Sequence, residues 1–199
     1  MHRSVVVLGL AALVALLSVA SVEASTSQFA VFPGASELVS PDGRFAVRSV
    51  DAKGSASDIL GTSHSLLLFE LTTGRSRKLC DYVGVAAAGW SNDGDDHDWL
   101  VVTQYVGKRT SRTIAFSASE LEDPILIDQP NLTRLVPVEL RPALRENDHI
   151  FIEGSRVEQE TLYLAVWGYG KHDQNGFRWR CEYSLRQGTV ACVEARGSH

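Results

Sequence analysis

The stretch Phe177–Arg186, with the sequence FRWRCEYSLR, decides the fold class of this chain. Its odd-numbered positions carry Phe, Trp, Cys, Tyr and Leu, whereas its even-numbered positions carry Arg, Arg, Glu, Ser and Arg. Because successive side chains of a strand point to opposite faces, this alternation predicts a β-strand with one face in a core and one in water. Gln187-Gly188 then supplies a turn into Thr189–Val193, so the sequence predicts an antiparallel hairpin.

The same strand pattern extends outward through most of the chain. Ser65–Leu71 is an apolar run, a turn containing Gly74 follows, and Arg75–Leu79 alternates polar with apolar residues. Helical patterns are scarce, and the clearest is a segment around Val138–Leu144 that two prolines keep short. We therefore expect an all-β fold of antiparallel sheets with one short helical segment.

Composition limits the classes of protein that this sequence can represent. The 199 residues are 44% hydrophobic and 22% charged, with a formal net charge of −5, which is typical of a globular protein. The chain has a modest acidic excess and lacks the clustered Lys and Arg of nucleic-acid-binding proteins, so we expect no nucleic-acid partner. Three cysteines are too few for a small scaffold built on disulfides.

Residues 1–24 have the pattern of a secretory signal peptide. Arg3 precedes a run from Val5 to Val22 that contains no ionisable residue, and the small-x-small pattern before Ser25 fits a cleavage site. Cleavage after Ala20 and a retained membrane anchor are the alternatives. We expect a periplasmic or secreted protein with no membrane span after cleavage, whose residues 25–199 form a single β-rich domain.

A turn motif occurs twice in the chain. Ser40-Pro41-Asp42-Gly43-Arg44 leads into an apolar strand, and Trp90-Ser91-Asn92-Asp93-Gly94 precedes another. Pro presets φ, Asp or Asn bonds its own backbone, and Gly accepts a left-handed conformation, so both segments predict tight turns. Together with the hairpin at Ser65–Leu79, they resemble the TolB/WD40-like β-propeller repeat of bacterial envelope proteins. The resemblance implies an architecture and a compartment, and it implies no chemistry.

About three four-stranded, propeller-like units can be placed, at 29–80, 84–128 and 148–194. Standard propellers have four to eight blades, so three units do not form a standard ring. We expect an open or partial propeller, or meander, capped by residues 129–147; the alternatives are that two chains combine or that only the local turn is propeller-like. Open sheet edges require protection, which we assign to Arg178, Arg180 and Arg186 of the last hairpin.

The densest polar cluster is the loop from Asn92 to Asp98, NDGDDHD. Carboxylates on a loop that contains Gly suit a hard cation such as calcium, which makes Asp93, Asp95, Asp96 and Asp98 the candidate metal ligands. The loop lacks the spacing of a calcium-binding helix–loop–helix. A solvated turn between two strands explains the same residues without a metal.

The cysteines suggest one disulfide. Cys181 and Cys192 lie on the two arms of the last hairpin, directly opposite if the turn is Arg186-Gln187 and facing apart if Gly188 forms a bulge. In an oxidising compartment we expect the first arrangement, with a bridge. Cys80 is left as a buried free thiol or as an exchange partner of that pair.

Function is less defined than fold. We find no nucleophile elbow, glycine-rich phosphate loop or zinc-binding helix motif, so we assign no catalytic residue and no cofactor other than calcium at the acidic loop. Trp90, Trp99, Trp167 and Trp179 fit core packing. The interpretation is an exported, non-enzymatic binding module with an unidentified protein or small-molecule partner in the cell envelope. The alternatives are a metal-binding or hydrolytic protein centred on Asp93–Asp98, and a small envelope inhibitor or immunity protein.

Overall fold

The computed structural model describes residues 28–52, 62–92, 98–106, 109–118, 123–170 and 176–195. Strands and two short helices follow one another in these residues: β1 (Gln28–Phe32), β2 (Leu38–Val39), β3 (Phe45–Asp51), β4 (Ser63–Glu70), β5 (Ser76–Val83), β6 (Ala86–Asn92), β7 (Asp98–Val106), β8 (Thr110–Ser117), β9 (Ile125–Ile127), α1 (Gln129–Leu135), α2 (Arg141–Glu146), β10 (His149–Glu158), β11 (Thr161–Tyr169), β12 (Phe177–Ser184) and β13 (Thr189–Glu194). The expected mostly-β fold is therefore confirmed.

The strands form two sheets. The smaller one has the order β2-β3-β4-β5, and the larger one has the order β1-β6-β7-β8-β10-β11-β12-β13, with β9 also paired to β8. Neighbouring strands are antiparallel except at β8 and β10, which are parallel and share the single register pair Thr110 and Ile150. In the described residues the strands form neither a closed barrel nor a propeller.

The predicted units correspond to three meanders with corrected bounds. They are β2–β5, β6–β9 and β10–β13, covering residues 38–83, 86–127 and 149–194. The first prediction, 29–80, was wrong at its start, because β1 pairs with β6 of the larger sheet. Phe32 at the end of β1 is fully buried, and its core also contains residues of β2–β8, so burial places β1 beside β6.

The turn between β2 and β3 has the chemistry that its sequence predicts. The Ser40 hydroxyl donates to the Asp42 carboxylate at 2.6 Å and accepts from the Phe45 amide at 2.9 Å. The Asp42 carboxylate also accepts from the Arg44 amide at 2.9 Å, and Gly43 adopts a φ of 70°. Side chains therefore satisfy the backbone at this bend, and β3 leaves it antiparallel to β2.

Two hydrophobic cores lie on opposite faces of β6–β8. Leu100 and Val102 of β7 belong to a core shared with the four-stranded sheet, which contributes Leu66 and Leu68. Val101, between them, belongs to a core shared with β10–β12 and the helices. Because alternate residues of one strand enter different cores, the central strands join the two outer meanders.

The segment before β10 contains two helices, so the expectation of one helical segment was wrong. The predicted segment Val138–Leu144 overlaps α2, whereas α1 lies wholly outside it. Asp128 caps α1 by accepting a hydrogen bond from the Asn131 amide at 2.9 Å. Leu132 and Leu144 are fully buried in the same core, so the helices cover the end of that core.

Gly154 is a point of close contact between β10 and the central strands. A Cβ at this position would lie 2.4 Å from the Val101 Cγ1 atom and 2.6 Å from the Thr113 Cγ2 atom. The Gly154 amide donates to the Thr103 hydroxyl at 3.1 Å, and the Thr113 hydroxyl donates to the Ile152 carbonyl at 2.9 Å. Side-chain hydroxyl groups thus satisfy the β10 backbone where it crosses β7 and β8.

Candidate ligand-binding face

The exposed face of the β10–β13 meander carries the candidate site, and strand register determines its residues. Tyr163 of β11 is paired with Glu182 of β12, and Ala165 is paired with Arg180. Arg180 in turn is paired with Val193 of β13, and Glu182 with Ala191. Directly paired residues share a face, and the alternate residues of these strands fill the core, so these side chains face outward. We call this surface the outer face.

A bulge in β10 shapes one side of the outer face. The register with β11 shifts between Gly154 and Arg156, which leaves Ser155 as the extra residue. Arg156 then lies over the Tyr163 ring, with its guanidinium carbon 4.2 Å from the ring centroid. Its Nε atom also donates to the Glu158 carboxylate at 2.6 Å. The arginine is therefore held by a cation–π contact and an ion pair.

A groove of about 520 Å³ runs across the outer face. Its walls carry both apolar and charged side chains: Ser155, Arg156, Tyr163, Leu164, Ala165, Arg180, Cys181, Glu182, Ala191 and Val193. Ala165 and Ala191 provide a low floor, because their neighbours on the same face are much larger. The size lies within the range of small-molecule sites, and the mixture of an apolar floor with a few charged groups is typical of them.

An aromatic cluster lies next to the groove, at the other end of β10 and β11. The Phe151 and Trp167 rings stack with centroids 3.9 Å apart, and the His149 and Tyr169 rings stack at 4.4 Å. Trp167 is half-buried on the outer face, directly opposite Arg178. The expectation that this tryptophan only packs in the core was therefore wrong, whereas Trp90 and Trp179 are buried in the cores as expected.

Tyr105 of β7 contacts the outer face on the side formed by β10. Its hydroxyl donates to the Glu153 carboxylate at 3.0 Å. Burial, followed by the hydrogen bond and charge of Glu153, raises the pKa of Tyr105 to about 12. The phenol consequently stays protonated at neutral pH and fixes the Glu153 side chain.

The predicted disulfide is confirmed beneath this face. Cys181 and Cys192 are bonded, and their Cα atoms lie 4.1 Å apart. In this hairpin Cys181 lies directly opposite Cys192. Ser184 and Thr189 form the last pair before the loop, and Gly188 is the final residue of that loop. Gly188 has a φ of 65° without shifting that register. The bridge ties β12 to β13, which form one wall of the groove.

Cys80 is a free cysteine in β5, a strand of the smaller sheet. Burial raises the pKa of its thiol to about 11, and the hydrogen bond from Gln104 opposes this shift. A thiol of this kind is almost fully protonated at neutral pH, so it is a poor nucleophile. The interpretation of a free thiol is confirmed.

The acidic loop falls mostly outside the described residues. Asp93, Asp95 and Asp96 belong to the part of the chain that the structure does not describe, and Asp98 begins β7 opposite Asn92. Within the described ranges, no group of three or more His, Cys, Asp or Glu residues is placed to hold a metal ion. Calcium binding by this loop stays a prediction.

The arginines that sequence analysis placed at a sheet edge have another position. Arg178 and Arg180 lie on β12, which is paired on one side with β11 and on the other with β13. Their side chains stand on the outer face, so the prediction that they protect an edge was wrong for both.

Sequence analysis did not find the groove, because the Arg156–Tyr163 contact depends on the bulge. The alternation of polar and apolar residues in β12 was the one sequence signal for this site, since it places Arg178 and Arg180 on the same exposed face.

No known protein family, curated protein or solved structure matches this chain. In the described part of the chain, we also find no helix that is long and apolar enough to span a membrane.

Proposed function

We propose that this chain is an exported, non-enzymatic binding module, and that its ligand occupies the groove of the outer face. The observation that carries the proposal is the convergence of Arg156, Arg180 and Glu182 around an exposed apolar floor. Charged groups fix a ligand's orientation and apolar surface supplies affinity, so such a groove has the elements of a recognition site. The disulfide supports a fixed shape for the β12–β13 wall.

The charges favour a ligand that combines a carboxylate with an aromatic or apolar group. Arg156 is already paired with Glu158 and stacked on Tyr163. Arg180 is absent from the ion pairs of the described residues, so its guanidinium is free to bind a carboxylate. Val193, on the neighbouring strand, offers an exposed apolar contact for the rest of the ligand.

Titration with phenylacetate, followed by two-dimensional NMR, tests this proposal. We expect millimolar binding, on the order of 1 mM, with shifts concentrated at Tyr163, Ala165 and Ala191. Arg180→Gln should weaken binding about fivefold, because it removes one exposed charge-assisted hydrogen bond. Arg178→Gln is the matched control, since Arg178 shares the strand and the face and lies outside the groove. Equal loss in both variants, or shifts scattered over the whole surface, would contradict the proposal.

We also propose that the three meanders are related to propeller blades. Two features support this: the meanders β2–β5 and β10–β13 cover opposite faces of β6–β8, and the Ser40–Arg44 turn links the first two strands of its meander. Neighbouring blades of a propeller likewise pack face to face. An experimental structure with the outer meanders on the same face of β6–β8 would contradict the relation.

The export proposal has a direct test. After expression with its native N-terminus in a Gram-negative host, the chain should be recovered from the periplasm or medium with Ser25 as its first residue. N-terminal sequencing and intact mass establish this. A chain that begins at Met1 and stays in the membrane fraction would contradict export.

A further inference from the structure

The last strand, β13, has an open side within the described residues, because no strand pairs with it there. It is the terminal strand of the larger sheet and pairs with β12. The Ala195 amide donates to the Arg178 carbonyl at 2.8 Å, so the odd-numbered residues of this segment direct their backbone groups toward β12. Hydrogen-bonded and non-hydrogen-bonded pairs alternate in an antiparallel ladder. The N–H and C=O groups of Val190, Cys192 and Glu194 therefore point to the open side.

The other end strands of the two sheets carry short length, Lys, Pro or a bulge, and β13 has none of these four features. β2 has 2 residues, and β9 has 3 residues directly after Pro124. β5 carries Lys78 and the register shift of a bulge, and β1 ends next to Pro33. Short length, Lys, Pro and bulges all protect edges. β13 is TVACVE, with no Pro, Lys or Arg, and its Val193 is 66% exposed.

The sequence of β13 is complementary to a second copy of itself. In an antiparallel pairing centred on Cys192, Val190 lies opposite Glu194 of the second copy, and Val193 lies opposite Ala191 of the second copy. The exposed valine thus meets a small apolar residue on the outer face. Its own neighbour on β12 is Arg180, and the neighbour of Ala191 is Glu182. Each row across the interface therefore has arginine on one side and glutamate on the other.

We propose that two copies of this chain associate through β13, in an isologous dimer whose sheet continues across a two-fold axis. The self-complementary register and the matched charges favour a second copy over an unrelated peptide strand. Contact through one strand is small compared with a stable interface, so we expect a reversible dimer with a Kd on the order of 10–100 μM. Val193 and Ala191 also line the groove, but the association is argued from the strand edge and not from a ligand, so either proposal can fail without the other.

Sedimentation velocity of the full chain tests the association. Concentrations from about 1 to 300 μM bracket the Kd expected for so small an interface. The weight-average mass should rise from one chain toward two, without covalent dimer in non-reducing mass spectrometry. Val193→Lys should raise the Kd at least about tenfold, because it puts a charged side chain where the exposed valine meets Ala191 of the second copy. Val138→Lys is the matched control, since Val138 is 71% exposed and lies outside the strands. The mass of a single chain throughout, or equal effects of both variants, would overturn the proposal.

Amide hydrogen exchange tests the register without a substitution. The amides of Val190, Cys192 and Glu194 should exchange about fivefold more slowly at ten times the Kd than in dilute solution, because mass action then places most chains in the dimer. The amides of Ala191 and Val193, which face β12, should be protected at both concentrations. Free exchange of the first set at every concentration would overturn the proposal. Protection of that set only after addition of envelope extract would assign the edge to a foreign strand and overturn it equally.

Discussion

Gly154→Ala tests the packing of β10 on the central strands. The new Cβ would lie 2.4 Å from the Val101 Cγ1 atom and 2.6 Å from the Thr113 Cγ2 atom. Ordinary contact requires about 1 Å more, and both neighbours are fixed: Val101 is buried, and Thr113 is hydrogen-bonded to Ile152. Overpacking of this kind lowers the free energy of unfolding by about 1–3 kcal/mol. The reduced entropy of the unfolded chain offsets about 0.5–1 kcal/mol.

The expected net loss is about 1 kcal/mol, which corresponds to a decrease in Tm of about 2–4 °C for a chain of this size. Urea denaturation and calorimetry measure the two quantities. Gly170→Ala is the control, since among the described residues a Cβ there meets only the Asn147 Oδ1 atom at 3.6 Å and the Glu146 carbonyl at 3.7 Å. We expect the control to change stability by less than about 0.5 kcal/mol.

A double-mutant cycle separates this clash from a general loss of stability. Val101→Ala removes the Cγ1 methyl group that the new Cβ would meet, so the two substitutions together should cost about 1 kcal/mol or more less than the sum of their separate effects. The same cycle between Val101→Ala and Gly170→Ala should be additive. Additivity in the Gly154 cycle, or a Gly154→Ala variant as stable as the parent, would refute the described approach of β10 to β7.

Three further predictions concern the titrating and bonded side chains. Cys80, whose thiol pKa burial raises to about 11, should react with Ellman's reagent at pH 8 about a hundredfold more slowly in the folded chain than in urea, and equal rates would contradict its burial. Replacing both Cys181 and Cys192 with Ala should lower the free energy of unfolding by about 3 kcal/mol, because their bond closes a loop of sequence separation 11; unchanged urea stability would contradict this estimate. The Tyr105 phenol, with a pKa of about 12, should titrate late in absorbance at 295 nm and earlier in Glu153→Gln. Since its folded pKa lies above the unfolded value of about 10, its contribution to stability should be present below pH 10 and be lost as the pH rises toward 12. A titration unaffected by Glu153→Gln would contradict the contact.

Much of the local structure was predictable from sequence, because it depends on neighbouring residues. The alternation in Phe177–Ser184 predicts both the strand and its buried face, and the structure buries the expected half. The Ser40–Arg44 turn forms through side chains within five positions of one another. Predicting the disulfide required a choice between two registers of the last hairpin. The structure has the register that places Cys181 directly opposite Cys192.

The remaining structure depends on contacts between distant segments. α1 has 7 residues and one buried side chain, Leu132, so it has no periodic pattern to detect. Its best signal is local: Asp128 followed by Pro130 is typical of a helix start. The pairing of β1 with β6 joins residues about 60 positions apart, and alternation does not specify which strand is the partner.

The candidate site was predictable only in part. The alternation in β12 places Arg178, Arg180 and Glu182 on an exposed face. The groove, however, requires the bulge at Ser155, which brings Arg156 opposite Tyr163. A bulge inserts one residue without a distinctive sequence, so its position emerges only when both strands are paired.

The position of β7 has a consequence for synthesis of the chain. The four-stranded sheet is complete in sequence at Val83, yet Leu66 and Leu68 share their core with Leu100 and Val102, which the ribosome adds later. Until those residues emerge, the N-terminal half presents an uncovered apolar surface, on which holding chaperones are expected to act. The C-terminal half meets no such delay, because β7 already exists when β10 is made.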